Sequence, residues 1–162
     1  LHNMRSMLLT VVGHNITTQF VLLEYGGSPS SVENIPYQLI FDDNGDLTGK
    51  FILLISHVPI DNTLREIQTR GAAGAIVQSR QGILAAFYQF LLVDPHLLIV
   101  MHADIPPGRN TYYVTGESTA DITLIAGDIW FDDYNTILRL LNSSENGTLT
   151  ISISGLGTPL KS

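Results

Sequence analysis

The sequence predicts an α/β domain built around one βαβ unit. Residues Phe51–Ile55 form a continuous apolar run with the length and the β-branched or aromatic character of a buried strand. Apolar residues then recur with the spacing of one helical face, at Ile60, Leu64 and Ile67, and a second short apolar run follows at Ala75–Val77. A strand, a crossover helix and a second strand form a βαβ unit with parallel strands. We therefore expect a helix over 61–70 that buries Leu64 and Ile67 almost fully against the sheet.

Polar and small residues mark the two ends of this helix. Thr63 and Glu66 have the spacing of a capping box, and Asp61 is an alternative N-cap. The small residues at 71–74 predict a helix end that lies close to the sheet and includes a residue with positive φ.

Further strands and one more helix are predicted on both sides of the βαβ unit. Before it, apolar or mixed runs indicate strands at 8–12, 18–23 and 37–41. The step Asn44-Gly45, which lies between two apolar runs, predicts a hairpin. After the unit, the pattern predicts a strand, a helix with Tyr134, Ile137, Leu138 and Leu141 facing inward, and an alternating strand, at 121–126, 132–141 and 148–154.

One apolar stretch, Ile83–Met101, has about the length of a membrane span. Asp94, Pro95 and His96 interrupt its middle, where a charge and a helix breaker are costly in lipid. The stretch is better interpreted as a buried helix at 83–93, a turn, and a buried strand at 97–101.

The βαβ segment resembles the core of the protease-associated domain, whose hallmarks are a Gly-Lys strand, an amphipathic helix and a Gly-Ala-Ala strand entry. Here Gly49-Lys50 and Gly71-Ala72-Ala73 stand at those positions, although Ser56-His57-Val58 replaces the family's usual Arg-Gly and cysteine. The closing strand, helix and strand are similar to the second half of the same family. The resemblance covers 46–79 and 121–154 of a single domain over 1–162, with an extra segment at 80–120. It implies a mixed β-sheet or a partly closed barrel or sandwich, flanked by two or three helices.

Composition excludes several classes of function. The chain has 162 residues, 44% hydrophobic and 14% charged, which is typical of one globular domain. A net charge of −7 with only eight Lys and Arg residues argues against nucleic acid and anionic lipid as partners. No cysteine is present, so a disulfide framework is excluded.

No catalytic, metal or cofactor motif passes a physical test. Ser118 lies in a segment similar to a nucleophile elbow, but a β-rich segment follows it and all five histidines precede it. His102-Ala103-Asp104 resembles the first zinc ligands of aminopeptidases, yet no histidine follows to complete a site. The acidic run Asp42–Asp46 does not place glycine and glutamate as a calcium loop requires. The glycines at 71–74 follow a helix, whereas a phosphate loop precedes one. We therefore expect no enzyme activity, no metal and no cofactor.

Three N-glycosylation sequons begin at Asn15, Asn142 and Asn146. The last two fall in a predicted surface loop. They favour an extracellular location, or one in the lumen of the secretory pathway or a vacuole.

The resemblance implies a non-catalytic accessory domain or receptor ectodomain that binds a protein partner or positions an attached catalytic or membrane domain. The alternative is a small-ligand sensing domain of a membrane receptor. Because binding residues concentrate in loops, the segments 26–34 and 103–118 are the candidate surfaces. Arg109 and Tyr112 are the residues there whose types are most enriched at interfaces. An equally good interpretation is that the second segment only covers a sheet edge.

Overall fold

The computed structural model describes residues 5–23, 25, 27–29, 32–55, 60–78, 104, 106–108 and 118–159. Within these residues the chain forms seven β-strands and two α-helices. In chain order they are β1 (Arg5–Val11), β2 (Ile16–Leu22), β3 (Pro36–Ile40), β4 (Phe51–Leu53), α1 (Ile60–Thr69), β5 (Gly74–Val77), β6 (Ile125–Asp128), α2 (Phe131–Ser143) and β7 (Thr148–Pro159).

The strands form one closed barrel in the order β1-β2-β6-β5-β4-β3-β7, and β7 pairs back onto β1. Strands β3 to β6 are parallel neighbours, whereas β1, β2 and β7 make antiparallel pairs. The predicted α/β class and mixed sheet are therefore confirmed. The order closes on itself, so every strand has a neighbouring strand on both sides.

The barrel wall carries apolar side chains on both faces where helices cover it. On β4, Phe51 and Leu53 belong to the cluster inside the barrel, and Ile52 belongs to a second cluster beneath α1. This two-sided burial explains why β4 is a continuous apolar run instead of an alternating one. Helix α2 adds its buried residues to the interior cluster and closes one end of the barrel; they include Tyr134, Ile137 and Leu141.

The predicted βαβ unit is confirmed. Strands β4 and β5 are adjacent and parallel, with Phe51 opposite Gly74. Leu64 and Ile67 of α1 are both fully buried, as the helical spacing predicted. Strand β4 is shorter than predicted, because it ends at Leu53 and Ile55 is 54% exposed.

The hairpin predicted at Asn44-Gly45 is wrong, because β3 and β4 are parallel. The guanidinium of Arg70 at the end of α1 holds the connecting loop. It lies 2.8 Å from a carboxylate oxygen of Asp42 and donates to the carbonyl of Gly45 at 2.9 Å. The loop after β3 therefore passes the end of α1 and enters β4 parallel to β3, instead of forming a hairpin.

The ends of α1 differ partly from prediction. The helix begins at Ile60, so Thr63 lies inside it and the capping box is wrong. Asp61 lies in the first turn, and its carboxylate accepts the backbone N–H of Asn62 at 3.1 Å. Gly71 has φ +93°, which confirms the positive φ expected after the helix. A Cβ at Gly71 would lie 2.6 Å from the Thr48 hydroxyl, so the position also needs the missing side chain.

The C-terminal elements are longer than predicted. Helix α2 covers 131–143 instead of 132–141, and β7 continues to Pro159. The predicted helix at 83–93 and strand at 97–101 lie outside the described residues. Neither described helix has the length and hydrophobicity that a membrane crossing requires.

Candidate interaction surface along the β5–β6 connection

Residues 78–124 connect β5 to β6, two parallel neighbours in the barrel. We call this chain the connecting segment. Its described parts lie against the carboxyl end of β6, the start of α2 and the outer side of α1. Side chains from these three elements hold it in place.

The first attachment is a buried carboxylate at the end of β6. Asp128 is fully buried, and its two oxygens accept the backbone N–H of Gly108 at 3.0 and 2.8 Å. A buried carboxylate needs such hydrogen bonds to offset the cost of leaving water. Gly108 has φ +75°, a conformation that glycine adopts without strain. Asp128 therefore fixes the turn at 106–108, which directly precedes Arg109.

The second attachment joins the connecting segment to α2. Asp104 accepts the backbone N–H of Asp132 at 3.0 Å, in the first turn of that helix. The residue at the N-cap position, Trp130, has no side-chain hydrogen bond to the helix. Asp104 therefore satisfies an N–H group that the local sequence leaves free, and its charge suits the positive end of the helix dipole.

The third attachment is Arg65, on the outer side of α1. Its guanidinium donates to the carbonyl of Ser118 at 2.6 Å and to the carboxylate of Asp121 at 2.9 Å. It also lies 3.4 Å from the carboxylate of Asp61, which is fully buried. The hydrogen bond from Arg65 lowers the pKa of Asp121 below its ordinary value. Burial, followed by the nearby charge of Asp61, raises the pKa of Tyr25 and keeps its phenol neutral.

Gln68, three residues further along α1, provides a fourth attachment. Its amide donates to the carbonyl of Asp121 at 2.8 Å, and its oxygen accepts the N–H groups of Thr123 and Leu124 at 2.7 and 2.9 Å. These backbone groups are thus bonded to a helix side chain instead of a strand. The strand predicted at 121–126 accordingly begins only at Ile125.

The structure describes three of the five candidate residues that the sequence analysis named. Arg109 and Tyr112 lie outside the described residues, in the part of the connecting segment between the attached Gly108 and Ser118. Asn15, Asn142 and Asn146 are all exposed. Asn142 lies in the last turn of α2 and not in a loop, whereas the other two occupy turns.

The described residues contain no group of three His, Cys, Asp or Glu side chains placed to hold a metal ion. In the acidic run Asp42–Asp46, Asp42 pairs with Arg70, and Asp46 accepts the hydroxyl of Thr48 at 2.6 Å. Ser118 contributes its carbonyl oxygen to Arg65.

The sequence analysis missed Asp128, Arg65 and Gln68. Asp128 had a usable signal, because it is a lone charge in the otherwise apolar stretch from Leu124 to Phe131. A charge in such a position needs a bonded partner or a function. Arg65 and Gln68 had a weaker signal: they share one face of α1 at a spacing of three residues, but their partners lie more than fifty residues away in sequence.

No protein-family model matches this chain, and a comparison with curated proteins found no match. Among solved structures, the chain is similar to BSAP, a zinc aminopeptidase from Bacillus subtilis, with 12% sequence identity and a TM-score of 0.46. The alignment covers 95% of this chain and 31% of that structure, so the chain spans about a third of the protein it matches.

Proposed function

We propose that this chain is a non-catalytic interaction module, similar to protease-associated domains, in the extracellular space or in a secretory or vacuolar lumen. It binds a protein partner, or positions an attached domain, through the connecting segment. The observation that carries the proposal is the attachment of this segment at Gly108, Ser118 and Asp121–Leu124 to a closed barrel. Loops held on a rigid framework are the common location of binding residues.

Two further observations support this proposal. The resemblance to protease-associated domains covers the βαβ unit and the closing strand, helix and strand, and the structure contains those elements. The charged side chains near the connecting segment also have structural tasks. Asp128 and Arg65 hold its backbone, and Asp104 holds the start of α2.

The first experiment identifies the partner by crosslinking and then measures its affinity for variants of this chain. A photo-crosslinking amino acid replaces Tyr112, and the same group at Gln38, an exposed residue on β3, is the control. We expect the purified partner to bind Arg109→Ala and Tyr112→Ala about thirtyfold more weakly, which corresponds to a loss of about 2 kcal/mol, the lower limit for a hot-spot residue. Their melting temperatures should equal that of the unchanged chain.

The outcomes of this experiment separate the two interpretations of the connecting segment. Weaker binding at unchanged stability supports an interface. Lower stability with unchanged binding shows that the segment is only a cover, and no change in either property places the interface elsewhere. Both of these outcomes refute the proposed use of the connecting segment.

A second experiment tests whether the attachment of the connecting segment by Arg65 contributes to partner binding. Arg65→Lys retains the charge but loses the planar fork that reaches Ser118 and Asp121 together. We expect weaker partner binding. Arg139→Lys is the matched control, because Arg139 lies on the exposed side of α2 and donates only a long bond to Thr136 among the contacts described. Equal affinities of the two variants would contradict the role of the attachment.

A ligand screen tests the alternative, a small-ligand sensing domain. A molecule that binds only the folded state raises the melting temperature of the chain, and the rise grows with the logarithm of the ligand concentration relative to its Kd. We expect no rise with a metabolite library and a rise with the purified protein partner. A specific rise with one metabolite would favour the sensor and contradict the interaction module.

A further inference from the structure

The three sequon asparagines lie in two turns and one helix end at the same end of the barrel. Asn15 lies in the turn between β1 and β2, where it is exposed and has φ +53°. Asn142 lies in the last turn of α2, and Asn146 lies between α2 and β7; both are exposed. In sequence, Asn15 is more than a hundred residues away from the other two.

Strand pairing brings these connections together. Val11, the last residue of β1, pairs with both Ile16 at the start of β2 and Ile151 near the start of β7. The N–H of Val12 donates to the carbonyl of Thr150 at 2.9 Å, which joins the β1–β2 turn directly to β7. The turn before β7 is closed by a bond from the N–H of Gly147 to the carbonyl of Ser144 at 3.3 Å. The two turns are therefore neighbours at the end of the barrel where β7 begins.

We propose that Asn15, Asn142 and Asn146 are acceptors of N-linked glycans that form one patch on this end of the barrel. The inference rests on the lumenal or extracellular location in the proposed function.

The reaction has a defined balance. The side-chain amide nitrogen of asparagine forms a bond to the anomeric carbon of a sugar, and the amide loses one proton. The bond from that carbon to a pyrophosphate oxygen of a lipid-linked oligosaccharide breaks, and the lipid pyrophosphate leaves. Exposure of each asparagine in the folded chain means that the product can be accommodated without unfolding.

The test routes the chain into the secretory lumen of a eukaryotic cell with an added signal sequence. Glycopeptide mapping should find at least two of the three asparagines occupied. Asn15→Gly, Asn142→Gln and Asn146→Gln should each remove the mass of one glycan from the site they change, if that site is occupied. Glycine is chosen at position 15 because it retains the positive φ of the turn.

Hydroxyl-radical footprinting then tests whether the glycans share one end. Val12 lies beside the β1–β2 turn and is 51% exposed, and Ile35 precedes β3 at the opposite end and is 39% exposed. Labelling of Val12 should fall in the glycosylated chain relative to the chain with all three substitutions, while labelling of Ile35 stays the same. An unoccupied set of sites, or an equal loss of labelling at Ile35, would overturn the patch.

The same experiment distinguishes this inference from the proposed function. The routed chain tests the patch whether or not the native chain enters the lumen. If the routed chain is glycosylated as described but the native chain from its own cells is not, the proposed location is wrong and the geometry of the patch is retained.

Discussion

The hydroxyl of Tyr134 connects α2 to the barrel, and its removal should measurably weaken the fold. Tyr134 is fully buried, and its hydroxyl donates to the carbonyl of Leu54 at 2.6 Å. Leu54 is itself only 4% exposed, so its carbonyl has little access to water. Burial raises the pKa of Tyr134, which keeps the hydroxyl protonated and able to donate. Tyr134→Phe removes the donor while preserving the ring.

The size of the effect follows from the burial of the acceptor. A buried polar group that loses its partner costs about 1–3 kcal/mol. For a chain of this length, each kcal/mol lowers the melting temperature by about 2–4 °C. Tyr134→Phe should therefore lower the melting temperature by about 2–12 °C, the product of the two ranges.

Tyr37 provides the matched control. Its hydroxyl lies 3.5 Å from the carbonyl of Glu33, too long for a strong hydrogen bond, and its side chain also packs in the barrel interior. Urea unfolding can be followed through the fluorescence of Trp130, the only tryptophan, which directly precedes α2. We expect Tyr37→Phe to unfold at nearly the same urea concentration as the unchanged chain. An equal or larger loss for Tyr37→Phe than for Tyr134→Phe would refute the reasoning.

Three other substitutions test the core and the ion pairs. Leu64→Asp places an unpaired charge in a fully buried position and should abolish folding, whereas Asn62→Asp on the exposed side of α1 should melt cooperatively by circular dichroism. Cooperative melting of Leu64→Asp would contradict the packing of α1. Thr18 is 4% exposed, and its hydroxyl has no partner in the described part of the chain, so Thr18→Val should stabilise the fold by about 1 kcal/mol in urea. A loss of stability there would reveal a bond to that hydroxyl. The hydrogen bond from Arg70 lowers the pKa of Asp42 in the folded chain. This pair therefore stabilises the fold at pH values above about 4, the pKa of the carboxyl group in the unfolded chain. The stabilisation is lost as the pH falls through the lower pKa of the folded chain. Asp42→Asn should therefore make stability less dependent on pH in acid titrations, and an unchanged dependence would contradict the pair.

The parts of the fold that the sequence predicted are those set by nearby residues. The βαβ unit was predictable because its strand length, helical spacing and small-residue turn are all local patterns. The closure of the barrel was not predictable from such patterns, because it depends on β1 pairing with β7 from the other end of the chain. The register of that pair is set by burial of alternate residues in a shared interior, which no local pattern specifies.

Two of the wrong predictions share one physical cause, a distant polar side chain that competes for backbone or loop groups. Asn44-Gly45 has a hairpin pattern, but Arg70 holds the carbonyl of Gly45 and redirects the chain. The residues after Asp121 have a strand pattern, but Gln68 takes the N–H groups of Thr123 and Leu124. The candidate surface was incompletely predicted for the same reason, since its attachments join residues that are far apart in sequence.

Two glycines of the barrel wall bear on the choice between a partner-binding module and a ligand sensor. A Cβ at Gly74 would lie 2.5 Å from the ring of Phe51, and one at Gly127 would collide with the ring of Phe20. Both rings are fully buried in the interior cluster, so each fills the space that a neighbouring side chain would otherwise occupy. A small ligand beside Gly74 or Gly127 would have to displace the neighbouring ring, at the cost of close packing. Close packing at these positions favours a rigid barrel. Recognition of a partner would then depend on the outer connections that the barrel supports.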